Sequence, residues 1–102
     1  MQRIALFLTF LLLALPAHAE WTNAQRSEWL GYCTSSCEEE NADKPIKSKC
    51  GAICSCISVE AGKFMTPADY VRVDAATRAG RGDPMLDRVQ RLGPACVKKV
   101  TQ

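Results

Sequence analysis

The chain has 102 residues, 47% of them hydrophobic and 7% aromatic, and 13 basic against 11 acidic side chains give a formal net charge of +2. Such a length fits one domain. The near-balanced charge, without any run of five like charges, lacks the footprint of a nucleic-acid binder, so no nucleic-acid partner is expected.

Residues 1–19 read as a cleavable export signal. Arg3 supplies the positive n-region, Ile4 to Leu15 form a twelve-residue apolar run, and Ala17-His18-Ala19 is an A-x-A cleavage site. The run is shorter than the roughly 20 residues of a membrane-spanning helix. Glu20 rather than Cys follows the site, so no stable membrane anchor is expected after cleavage. Cleavage after Ala19 leaves residues 20–102, a single domain whose net charge falls to +1 with the loss of Arg3. The only histidine, His18, leaves with the signal. That excludes a Ser-His or Cys-His pair, a His-liganded zinc and a CxxCH haem attachment. No enzyme activity and no cofactor are expected.

Thr22 to Glu40 reads as a helix. Thr22 and Gln25 form a capping box, and Leu30, Cys33 and Cys37 recur on one face with Trp29 and Tyr32 beside them. Asn41 to Lys44 is a polar turn. Pro45 suits the first position of a second helix running to about Lys63. Ile46, Cys50, Ile53, Ile57, Ala61 and Phe64 form one stripe of that helix, and Ala52, Cys56 and Val59 a second, which places it centrally. Thr66-Pro67-Ala68-Asp69 opens a third helix, with Tyr70, Val73 and Thr77 on one side, and Gly80-Arg81-Gly82 ends it near Ala79. Asp83-Pro84 opens a short fourth helix that Gly93-Pro94 breaks, followed by a last turn carrying Cys96, Val97 and Val100. The fold class is all-α: a stapled antiparallel hairpin with two or three short C-terminal helices.

Six cysteines in an exported chain of this size read as a disulfide framework, because so small a core stabilises by only about 3–5 kcal/mol. Cys33 and Cys37 share one helix face, and Cys50 and Cys54 another. In an antiparallel hairpin, residues at equal height have a constant sum of positions. Cys33 with Cys54 and Cys37 with Cys50 both give 87, so the two bridges close in one register. Glu38 with Lys49 and Glu40 with Lys47 give the same sum, and ion pairs are expected there. Cys56 lies about 200° around the helix from Cys54. It therefore pairs with Cys96 and ties the C-terminal turn to the back of the central helix.

The twin Cys-x3-Cys pattern on a helical hairpin, Cys33 to Cys37 and Cys50 to Cys54, resembles that of the small Tim chaperones of the mitochondrial intermembrane space. The likeness covers Glu28 to Val59 and implies the same pairing of inner and outer cysteines. The chain departs from that pattern in its export signal, its Cys54-Ser55-Cys56 sequence, its sixth cysteine and its C-terminal extension. In overall make-up it is similar to small cysteine-rich exported proteins of Gram-negative bacteria, which implies a periplasmic or secreted address.

Other candidate chemistry is thin. Cys54 and Cys56 read alternatively as a thiol-redox or copper-handling pair, with Met65 and Met85 as thioethers, since thiolates select Cu(I) or zinc. No CxxC at a helix N-terminus supports thiol catalysis, and no metal site is expected. Arg81-Gly82-Asp83 is explained as a turn with Asp83 as a helix cap. Glu60 and Asp69 suit a solvated face and a first turn rather than catalysis. Trp29, Tyr32, Phe64 and Met65 are the candidate contacts for a protein partner, because aromatic residues dominate binding hot spots. The expected role is that of a non-enzymatic exported binding or accessory protein, serving the cell envelope or interaction with a host.

Overall fold

The computed structural model describes residues 20–102; the export-signal expectation for residues 1–19 lies outside them. Among the described residues five α-helices follow one another: α1 (Asn23–Glu40), α2 (Cys50–Ala61), α3 (Pro67–Arg78), α4 (Pro84–Gln90) and α5 (Leu92–Thr101), with a 3₁₀ segment (Pro45–Lys49) leading into α2. No strand occurs among the described residues.

The sequence signals act where expected at three helix starts. Thr22 and Gln25 exchange side chain-to-backbone hydrogen bonds of 3.1 Å at the start of α1, and Thr66 and Asp69 do the same for α3 at 3.1 and 3.0 Å. Asp83 caps α4 by accepting from the Met85 N–H at 2.8 Å. At the end of α3, Gly80 adopts φ +71°, with its N–H bonded to the Thr77 carbonyl and that of Arg81 to Ala76. This is a Schellman closure, which requires the left-handed residue that glycine supplies at least cost. Arg81-Gly82-Asp83 is thus consumed by a helix–helix turn.

All three disulfides form as the spacing implies. Cys33–Cys54, Cys37–Cys50 and Cys56–Cys96 have Cα separations of 5.8, 5.7 and 5.7 Å. The first two staple α1 to α2, and the third ties α5 to the opposite side of α2. Such bonds persist in oxidising surroundings. No described helix is long and apolar enough to cross a membrane.

Several expectations are corrected. The second helix is not α-helical from Pro45: its first five residues form a 3₁₀ segment and α2 begins at Cys50. The tighter 3₁₀ winding breaks the constant-sum register before Cys50. Accordingly, no ion pair joins Lys47 or Lys49 to Glu38 or Glu40. Gly93-Pro94 does not break a helix but lies in the first turn of the ten-residue α5. There the proline's missing N–H would have had no partner in any case. The second stripe of α2 is only partly covered: Cys56 meets α5, whereas Ala52 and Val59 stay exposed.

The core lies at the C-terminal end of α2, where Trp21, Ala61, Met65, Tyr70, Val73 and Val89 are buried together. Helix α1 contributes no fully buried residue. Its expected stripe of Leu30, Cys33 and Cys37 is only half-buried, so the two staples and the Trp29 bond to the Cys54 carbonyl, rather than a fully buried apolar face, join α1 to α2.

Candidate functional site

The Gln25 side chain donates to the Pro67 carbonyl at 3.0 Å, and the Tyr70 hydroxyl donates to Glu28 Oε1 at 3.2 Å. Both bonds join α1 and α3 near their N-terminal ends. Beyond Glu28 no hydrogen bond links the two helices, and a cleft of about 520 Å³ opens between them. Its α1 wall repeats every turn as Tyr32, Ser36 and Glu40; its α3 wall repeats as Tyr70, Val73 and Thr77. Ile57 of α2 and Leu86 and Val89 of α4 supply an apolar floor.

Aromatic side chains converge at the closed end. Trp21 meets Trp29 edge-to-face at 5.9 Å between ring centroids and Tyr70 at 4.9 Å. Their polar ends are tied off within the protein: Trp21 Nε1–H donates to the Met65 carbonyl at 3.2 Å and Trp29 Nε1–H to the Cys54 carbonyl at 3.3 Å. Trp21 and Tyr70 are core residues that form a fixed back wall, and the ring surface open to the cleft is that of Trp29 and Tyr32. Burial, reinforced by the neighbouring Glu28 carboxylate, pushes the Tyr70 hydroxyl up to about 12 and keeps it a neutral donor. At the lip, Arg78 pairs with Asp74 at 3.0 Å and reaches Glu28 at 3.9 Å.

The four residues expected to meet a partner do not form one surface. Trp29, Tyr32 and Met65 share the cleft, with Tyr32 59% exposed at its lip and Met65 buried in its floor. Phe64 points the other way. The Arg88 guanidinium covers its ring at 3.9 Å, beside a separate groove of about 500 Å³. Adjacent residues leaving a helix end diverge in this manner, and sequence spacing alone does not reveal it. Trp21, just before the Thr22 cap, also lines the cleft, although no site role was expected of it. The α3 wall was missed as part of the site. Its signal was the Tyr70, Val73, Thr77 stripe, which carries no mark distinguishing a groove wall from core.

Cys54 and Cys56 do not present two sulfurs together. Cys54 bonds to Cys33 on α1 and Cys56 to Cys96 on α5. Met65 is buried and Met85 half-buried against the core. Glu60 pairs with Lys63 at 3.0 Å. Asp69 is held below the ordinary carboxylate range by the Thr66 N–H and then by Arg72. Asp83 is lowered by the Met85 N–H and again by Arg72. These carboxylates serve caps and ion pairs.

No protein-family model matches the chain, and no curated protein or solved structure does. The likeness to small Tim chaperones thus rests on the cysteine spacing, and its coarser content, a disulfide-bonded helical fold, is what the structure bears out.

Proposed function

We infer that this is an exported, non-enzymatic binding or accessory protein, acting through protein–protein contacts in the periplasm or outside the cell, in envelope function or interaction with a host. One observation carries the reading: on a disulfide-stapled frame, Trp29 and Tyr32 present their rings to a single open cleft, backed by the buried rings of Trp21 and Tyr70. Rigid aromatic surface in a concave site is the usual source of hot-spot binding energy. Replacing Tyr32 with a photo-crosslinking amino acid tests it, with Val59, also exposed but outside the cleft, as the control. A discrete protein adduct from position 32, absent from position 59, supports the reading. Adducts at both positions, or at neither, refute it.

The competing chemistry, thiol exchange or copper handling through Cys54 and Cys56, requires two bridges to open. Intact mass of the exported protein, alkylated without reduction, separates the two. A chain lacking residues 1–19, unalkylated and lighter by two hydrogens for each of three bridges, favours the binding reading. Alkylated Cys54 and Cys56 favour the thiol one.

A further inference from the structure

The cleft has helical walls and a lopsided charge. Tyr32, Ser36 and Glu40 on one side and Tyr70, Val73 and Thr77 on the other recur at one-turn spacing along two helices. The backbone groups of such walls are satisfied within their own helices, and the described residues contain no strand edge. An extended peptide laid here would find no partners for its own N–H and C=O groups, whereas a helix satisfies its own. Two helices flanking an apolar floor form a groove of the kind into which a third packs by its side-chain ridges.

Among the charged residues of the lining, Arg78 is already bound to Asp74, and Glu40 has no ion-pair partner among the described residues. Glu40 ends the acidic run Glu38 to Glu40 at the carbonyl end of α1, where the helix dipole is itself negative. Helix α1 has no basic residue in its last turn, and Lys47 and Lys49 do not reach these carboxylates. The open end of the cleft is thus apolar within and negative at its mouth. Resting on the reading of the cleft as a protein-binding site, we propose that it takes an amphipathic helix of a partner protein, apolar along the face that enters and basic where that helix passes Glu40.

The test uses two synthetic helical peptides without tryptophan. Both carry leucines at i, i+3, i+4 and i+7; one is flanked by lysines and the other by glutamates. Each is titrated into the oxidised protein while the emission of Trp21 and Trp29 is followed. The lysine peptide is expected to bind about tenfold more tightly at low salt, from an exposed ion pair gained together with a like-charge contact avoided, with the advantage fading as salt screens it. Glu40→Lys, at an exposed position that leaves the fold intact, reduces or reverses the preference.

Equal affinity for both peptides overturns the charge assignment and leaves the cleft-binding reading standing. No response to either peptide overturns this inference, while the crosslink from position 32 decides the reading beneath it. Monomeric dodecyltrimethylammonium binding as well as the lysine peptide overturns a helix in favour of a small cationic amphiphile. An emission change on concentrating the protein alone overturns a separate partner in favour of a second copy.

Discussion

Replacing Cys56 and Cys96 together by alanine is expected to be the most damaging loss of any single bridge. Alanine is the right substitute because Cys96 is 2% exposed, and a buried serine hydroxyl would add a desolvation cost of its own. The bridge spans 40 residues, and loop-closure entropy gives it about 3.9 kcal/mol. The other two bridges are nested, and that reduces each one's separate effect. With Cys37–Cys50 closed, Cys33–Cys54 closes only a small ring of about eight residues, formed by the two x3 segments, and contributes about 2.5 kcal/mol. With Cys33–Cys54 closed, the inner bridge spanning 13 residues contributes about 2.1 kcal/mol by the same reckoning. Removing both together costs about 5.4 kcal/mol, more than the two single losses combined. For a domain of this size the Cys56–Cys96 loss lowers Tm by about 16–30 °C. Thermal and urea unfolding of the oxidised double-alanine variants, followed by circular dichroism, measures the order directly. A Cys56–Cys96 variant that loses under about 1 kcal/mol, or less than either hairpin variant, would refute the loop-entropy reasoning. It would assign the docking of α5 to packing by Leu92, Val97 and Val100.

Gly80→Ala puts a side chain at φ +71° with nothing within 4 Å of its Cβ, so the cost is backbone strain alone, about 1 kcal/mol and about 4–8 °C in Tm; an unchanged Tm would contradict it. Trp29→Phe removes the bond to the Cys54 carbonyl and lowers stability by about 1 kcal/mol in urea unfolding, without disturbing the three bridges. Asp69 and Asp83 have lowered pKa values, so their contribution is complete above the ordinary value of 3.8 and fades as pH falls below it. In a carboxylate NMR titration, Arg72→Gln should move both upward toward that value. Tyr70, raised to about 12, contributes stability below pH 10 that is lost between about 10 and 12. Glu28→Gln should lower its midpoint in ultraviolet titration but leave it above 10, because burial is the larger cause.

The amino-acid sequence by itself determined what depends on neighbours along the chain or on strict helical geometry. Thr22, Thr66 and Asp83 cap helices because their side chains reach a backbone N–H two or three residues ahead, whatever the rest of the fold does. The cysteine pairing was legible for a related reason: four residues of α-helix return a side chain to the same face, so two such pairs on an antiparallel hairpin admit one register. The same reasoning failed one turn away, at Lys47 and Lys49, where the chain winds as 3₁₀. Gly93-Pro94 misled because a proline ends a helix or begins one according to its place in the turn, which depends on where Arg91 lets α4 stop and α5 start.

Only the tertiary structure decided where the cleft lies. It placed Tyr70, Val73 and Thr77 across the cleft from Tyr32 and Ser36, turned Phe64 away beneath Arg88, and left Glu40 at the mouth with no ion pair among the described residues. Which faces of separate helices come together is set by how α2 orients both of its neighbours. A stripe of apolar residues reads the same whether it meets another helix or borders a groove, since the pattern records only that a face is apolar.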